Sequence, residues 1–190
     1  MRVNITSGWL DRVRRVPSPN FDARPSGVDI DLLVIHGISL PPGQFGGRWI
    51  DALFTNVLAA DAHPSFAGIC EMRVSAHLMI DRTGDLTQYV PFHLRAWHAG
   101  ESCFEARSRC NDFSIGIELE GSDDVAYDPA QYLVLAQVID GLMRAYPGLA
   151  PGRIVGHSDI APGRKTDPGP AFDWDHLHSL LGAQRAAPRY

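Results

Sequence analysis

The sequence is poor in several features that identify whole classes of protein. Among its 190 residues are one lysine and three cysteines, and its formal charge is −5. Three cysteines are too few for a disulfide-rich secreted domain, and a negative chain lacks the basic face of a nucleic-acid binder. No apolar run approaches the ~18 residues that a membrane-spanning helix needs. The first residues contain no apolar signal segment, so we expect a cytoplasmic protein with neither nucleic acid nor membrane as partner.

The length and composition favour one α/β domain over residues 1–190. Hydrophobic residues make up 45% of the chain and charged residues 21%, as in ordinary globular proteins. Short apolar runs predict strands, and helical periodicity after Trp49 and after Asp128 predicts helices. The segment 75–90 indicates a hairpin, which favours a mixed central β-sheet flanked by helices over an all-parallel sheet. The predicted elements are strands at 31–36, 75–80, 86–90, 113–119 and 153–156, a helix from 49 to a stop at 62–64, helices at 128–146 and 173–181, and a frayed tail at 183–190.

Two histidines end predicted strands. His36 ends the apolar run DLLVIH, and His157 ends RIVGH. Ligand sites of open α/β sheets form at the carboxyl ends of strands, so both imidazoles are candidates for one site. Asp167 follows ten residues after His157, and two imidazoles with one carboxylate are a ligand set of catalytic zinc, with water as the fourth ligand. The spacing alone leaves a second interpretation open, in which both histidines bond to the loop backbone.

An acidic pair lies in the predicted strand FSIGIELEG. Glu118 and Glu120 share one face, because side chains alternate along a strand. Apolar neighbours predict that Glu118 is partly buried, and burial raises the pKa of a carboxyl group and suits it to general-base chemistry. Lys165 is the one lysine of the chain and lies two residues before Asp167, where it would add a positive charge to the same site.

Five separated motifs, taken in order, resemble those of the zinc N-acetylmuramoyl-L-alanine amidases. This family includes the T7 lysozyme-type amidases and the peptidoglycan recognition proteins, and the likeness is to its cytoplasmic members that act on 1,6-anhydro-muropeptides. The resemblance extends from about Gly8 to Trp174. The motifs are VIHGISLPPGQFGG, RVSAHLMI, RAWHAG, CNDFSIGIELEG and GHSDIAPGRKTDPGPAFDW.

The resemblance implies a role for each residue that matches a family motif. The zinc ligands match His36, His157 and Asp167, so Zn²⁺ is the expected cofactor. The catalytic glutamate matches Glu118, and the catalytic lysine matches Lys165. The stretches that line the muropeptide groove match at four further positions, which we expect to bind substrate: Arg73, Trp97, His98 and Arg109.

The function implied by the resemblance is hydrolysis of the amide bond between 1,6-anhydro-N-acetylmuramic acid and L-alanine. It further implies a monomer that acts in peptidoglycan recycling and indirectly controls β-lactamase induction. Two positions depart from the family pattern, since Gly37 stands where Asn is common and Ser158 where Cys is frequent. The first departure removes a side chain that can contact the substrate peptide, and we expect the second to be neutral.

Three other functions compete with this one. An endolysin or murein amidase would act on intact peptidoglycan with the same site. A muropeptide sensor would bind without hydrolysis, but such proteins typically lose a zinc ligand, and this chain has all three candidates. A serine hydrolase that used Ser39 or Ser158 would need a G-x-S-x-G turn, which the sequence lacks.

Overall fold

The computed structural model describes residues 1–186, which form twelve strands and four α-helices. The strands are β1 (Val3–Asn4), β2 (Trp9–Leu10), β3 (Arg14–Arg15), β4 (Phe21–Ala23), β5 (Leu32–Ile38), β6 (Leu78–Ile80), β7 (Leu86–Gln88), β8 (Leu94–Ala96), β9 (Cys103–Phe104), β10 (Arg107–Ser108), β11 (Ser114–Glu120) and β12 (Ile154–Gly156). The helices are α1 (Trp49–Phe54), α2 (Pro129–Ala145), α3 (His157–Ile160) and α4 (Trp174–Ala186), with 3₁₀ turns at Cys110–Asp112 and Pro151–Arg153.

A six-stranded mixed sheet forms the centre of the fold, with its strands in the order β12-β5-β11-β6-β7-β3. Strand β5 lies parallel to both β11 and β12, and β6 and β7 form the antiparallel hairpin predicted for 75–90. The mixed α/β domain predicted from the sequence is therefore confirmed. Three two-stranded ladders lie outside this sheet, namely β1 with β2, β4 with β8, and β9 with β10.

The two faces of β5 pack against different parts of the protein. Leu33 and Ile35 of β5 pack in one cluster with residues of α2 and α4, whereas Leu32 and Val34 pack in a different cluster with Ile160 of α3. This alternation follows from the period of two along a strand. His36 continues the second face of β5, and the register pairs it with Glu118 of β11. The sheet thus brings the two predicted site residues together.

The main differences from the sequence prediction lie at helix ends. Helix α1 ends at Phe54, well before the predicted stop at 62–64, and Asn56 just beyond it has a left-handed backbone (φ 62°) that a right-handed helix cannot continue through. Helix α4 continues to Ala186, beyond the predicted end at 181, and 187–190 lie outside the described residues, so the frayed tail at 183–190 stays a prediction. None of the helices within 1–186 has the length and apolarity to cross a membrane.

Candidate active site

The three predicted metal ligands converge at the carboxyl end of the central sheet. His36 lies near the end of β5, and His157 begins α3 directly after β12. Because β5 and β12 are parallel neighbours, the ends of the two strands meet. Asp167 arrives on the loop after α3, and its carbonyl oxygen accepts a hydrogen bond from the Ser158 amide at 2.9 Å. That bond fixes the loop beside the start of the helix.

The ligand atoms form a small, nearly equilateral triangle. Nδ1 of His36 lies 3.0 Å from Nδ1 of His157, and Oδ2 of Asp167 lies 3.1 Å from each nitrogen. Atoms bound to a tetrahedral zinc at ~2.0–2.1 Å are separated by roughly 3.3 Å, so these three donors fit that ion and leave a fourth position open. Within residues 1–186, this is the one cluster of histidine, cysteine and acidic side chains that can hold a metal.

The protonation states of the cluster also suit metal binding. Burial lowers the pKa of His36 to about 4. Burial alone would raise the pKa of Asp167, but its hydrogen bonds with His157 and His36 lower that pKa below the usual range. At neutral pH His36 is therefore neutral and Asp167 is ionised, and these are the forms in which the two side chains bind metals.

Glu118 faces the cluster with an unused carboxylate oxygen. It is 8% exposed, and its buried Oε2 has no hydrogen-bond partner. Burial, and then the negative charge of Asp167, raise the pKa of Glu118 well above its ordinary value, while Lys165 opposes the shift. An unpaired carboxylate oxygen in a cleft is available to accept a proton from a bound molecule.

One cleft of about 180 Å³ contains most of the predicted residues. Its polar side is formed by the three ligands together with Glu118 and Lys165, and Trp97 and His98 also line it. Its apolar wall consists of Ile38, Leu53, Phe54, Met72 and Val74.

Arg73 and Arg109 are not among the residues that line this cleft. Arg73 is exposed between Met72 and Val74, which do line it. The side chain of Arg109 is 71% exposed and forms an ion pair with Asp112 at 3.2 Å. Both guanidinium groups therefore lie on the surface outside the metal cluster, and their predicted contact with substrate stays a prediction.

Tyr127 explains why Gly37 follows the first ligand. A Cβ at position 37 would lie 2.3 Å from the Tyr127 hydroxyl oxygen, and that hydroxyl donates a hydrogen bond of 2.9 Å to the carbonyl of Pro168. Pro168 directly follows Asp167, so Tyr127 supports the ligand loop in the space that glycine leaves free. Tyr127 carries no signal in the sequence that would mark it as part of the site, because its partners lie far away along the chain.

The similarity of this chain to known proteins agrees with the geometry of the site. A family model described as N-acetylmuramoyl-L-alanine amidase matches residues 26–170, which is more than half of the chain. The chain belongs to this amidase family. It is therefore a hydrolase, an N-acetylmuramoyl-L-alanine amidase, as the sequence motifs predicted.

Relatives and solved structures of the amidase family cover nearly the whole chain. The 1,6-anhydro-N-acetylmuramyl-L-alanine amidase AmpD of Citrobacter freundii is 58% identical over 177 residues, which cover 93% of this chain and 94% of the relative. A crystal structure of an AmpD selenomethionine derivative is 57% identical, has a TM-score of 0.92, and matches 95% of this chain and 99% of its own.

A more distant amidase has been solved with a substrate. This structure is a complex of the Escherichia coli amidase AmiD with anhydro-N-acetylmuramic acid-L-Ala-D-γ-Glu-L-Lys. It is 31% identical, has a TM-score of 0.58, and matches 83% of this chain and 60% of its own. The amidase fold of this chain thus extends to relatives of low sequence identity.

Proposed function

We propose that this amidase hydrolyses the bond between the lactyl carbonyl of 1,6-anhydro-N-acetylmuramic acid and the amino group of L-alanine. The observation that carries the proposal is the convergence of His36, His157 and Asp167 beside the free carboxylate oxygen of Glu118. The match over nearly the full length of AmpD, an amidase named for this substrate, supports the anhydro form of the sugar.

We infer that the three ligands hold Zn²⁺. Their two nitrogens and one oxygen are the donor set of a catalytic zinc site, and their spacing fits a tetrahedral ion. When bound, the ion polarises the scissile carbonyl and lowers the pKa of a coordinated water from ~15.7 towards ~7. The ionised Asp167 contributes the one negative charge among the ligands.

Glu118 and Lys165 supply the proton transfer and the charge stabilisation. Amides resist hydrolysis because the carbonyl is a weak electrophile and the amine is a poor leaving group. Glu118 accepts a proton from the attacking water through its unpaired oxygen and returns it to the departing amine. Lys165 lies on the exposed rim of the same cleft, where its ammonium group stabilises the negative oxygen of the tetrahedral intermediate.

The substrate is held by one face of the cleft and by surface cations. Trp97 and the apolar wall offer a surface to the sugar ring. Arg73 and Arg109 are assigned to the carboxylates of the peptide, which a guanidinium group can bind through two hydrogen bonds. We place the enzyme in the cytoplasm as a monomer in peptidoglycan recycling, where the consumption of anhydro-muropeptides indirectly controls β-lactamase induction.

The test joins metal analysis with product analysis. The purified protein is incubated with 1,6-anhydro-MurNAc-L-Ala-D-Glu-meso-diaminopimelate, with and without chelator, and the products are identified by mass spectrometry. About one zinc per chain and chelator-sensitive release of the tripeptide are expected. Binding without hydrolysis would indicate the sensor, and faster cleavage of intact peptidoglycan would indicate the endolysin. Absence of zinc would refute the ligand assignment.

A further inference from the structure

Two consecutive residues, His98 and Ala99, contact the two histidine ligands on the side of each ring away from Asp167. Nε2 of His36 lies 2.9 Å from Nδ1 of His98, and Nε2 of His157 lies 3.1 Å from the carbonyl oxygen of Ala99. In each ligand this nitrogen is the one opposite Nδ1, which faces Asp167. Two consecutive residues therefore occupy the outer nitrogens of both imidazoles.

These contacts allow one consistent arrangement of protons when Nδ1 of both histidines binds the metal. The Ala99 carbonyl can only accept, so Nε2 of His157 carries the proton and its Nδ1 keeps a free lone pair. If Nδ1 of His36 also carries no proton, then Nε2 of His36 carries one and donates it to Nδ1 of His98. Nδ1 of His98 must then be the unprotonated nitrogen of that ring. The other nitrogen of His98 carries the proton and donates to the Ser114 hydroxyl at 3.2 Å. Both ring nitrogens of His98 are thus used inside the protein.

The segment itself is held from two sides. The side-chain oxygen of Asn111 accepts the backbone N–H of His98 at 3.1 Å and that of Ala99 at 2.8 Å. Asn111 is 6% exposed, so this double contact is sheltered from water. On the other side the His98 ring lies against Gly116, where an added Cβ would come within 2.4 Å of Cγ of His98.

We propose that His98 and the Ala99 carbonyl, fixed by Asn111, set the tautomer and orientation of both histidine ligands. His98 is on this view a positioning residue for His36, because both of its ring nitrogens have partners within the protein. The substrate contact predicted for His98 stays a prediction, since the side chain also lines the cleft. The inference rests on the proposed function in that it takes the Nδ1 atoms as metal ligands. Such outer contacts typically contribute 10–100-fold in metal affinity.

The two ligands provide an internal control for the test. His98→Ala removes the acceptor of His36 but leaves the Ala99 carbonyl that holds His157. His98→Asn retains an acceptor oxygen near the position of Nδ1, and Gly116→Ala keeps the imidazole but displaces it. Exchange of the ring N–H protons is measured by ¹H–¹⁵N NMR on zinc-loaded, ¹⁵N-histidine-labelled protein, and the zinc dissociation constant by competition with a chromophoric chelator.

In the zinc-loaded, unsubstituted protein we expect His36 and His157 both to carry a proton on Nε2 that exchanges slowly with water. His98→Ala and Gly116→Ala should speed exchange of the His36 Nε2 proton alone and weaken zinc binding about 10–100-fold, and His98→Asn should restore most of the affinity. Unchanged zinc affinity in His98→Ala, or equal disturbance of both ligands, would overturn the inference. Absence of zinc binding in the unsubstituted protein would instead overturn the proposed function.

Discussion

Removal of zinc should lower the stability of the fold substantially. The three ligand atoms lie within 3.1 Å of one another on β5, on α3 and on a loop tied to that helix, so binding requires little rearrangement. The unfolded chain cannot reproduce this triangle, because Asp167 and His157 are ten residues apart and His36 lies in a distant strand. Zinc therefore binds the folded state preferentially.

The size of the effect follows from mass action. A ligand that binds only the folded state stabilises it by RT ln(1 + [L]/Kd), which is about 4 kcal/mol when free zinc is 1,000 times Kd. In a chain of 150–250 residues each kcal/mol moves Tm by about 2–4 °C. We therefore expect chelation to lower Tm by about 8–16 °C relative to that zinc concentration.

The assay is scanning calorimetry in zinc-buffered and in chelator-containing solution. His36→Ala and Asp167→Asn should melt at the same temperature in both solutions. Glu118→Gln is the matched control, because Glu118 is also buried in the cleft but is not a ligand, and it should keep the full shift. A full shift in His36→Ala, or no shift in the unsubstituted protein at a zinc excess verified by competition titration, would refute the reasoning.

The other predictions concern catalysis and acid stability. Glu118→Gln should keep one zinc but lower kcat by ~10²–10⁴, and normal release of tripeptide by chromatography would exclude Glu118 as the base. Lys165→Ala should lower kcat by ~10²–10³, and Lys165→Arg should retain part of the activity because the positive charge is kept. An equal loss of kcat in both variants would argue against charge stabilisation by Lys165. Burial, and then the positive charge of Arg24, lower the pKa of His77 well below its ordinary value of 6.5. The Gly116 amide also donates a hydrogen bond to Nδ1 of His77, and protonation of that nitrogen would break this bond. His77 therefore binds a proton more readily in the unfolded state than in the folded state. Its contribution to the free energy of unfolding is fully present above pH ~6.5 and falls on acidification by up to ~1.4 kcal/mol per pH unit. Urea unfolding in chelator should show a flatter dependence of this free energy on pH for His77→Gln.

Much of the site could be predicted from the sequence because its chemistry lies at the ends of strands. The apolar runs before His36 and His157 predicted buried strands, and parallel neighbours place such ends together. The spacing of Asp167 from His157, the apolar neighbours of Glu118 and the single lysine Lys165 indicated the other three residues, and all five residues line one cleft. The structure confirmed this convergence because the local pattern and the sheet order agree.

The features that the sequence did not reveal depend on contacts between distant segments. The motif RAWHAG led to a predicted substrate contact for His98, which stays a prediction, but it did not indicate that the ring contacts His36, 62 residues earlier, and Ser114, 16 residues later. The end of α1 was misplaced for a related reason. The apolar periodicity continued through Val57 and Leu58, but Asn56 has a left-handed backbone, and Val57 is 70% exposed.

The two glutamates of β11 show where local pattern stops being informative. Glu118 and Glu120 lie two residues apart on one face and are 8% and 4% exposed, so strand alternation and burial do not distinguish them. Their hydrogen bonds do. In the loop before α1 the Gly46 amide donates to Oε1 of Glu120 at 2.6 Å, and in the turn between β6 and β7 the Arg82 amide donates to Oε2 of Glu120 at 3.3 Å. Glu118 receives no such bond at its Oε2. One carboxylate therefore holds a loop, and its neighbour keeps the free oxygen that a general base requires.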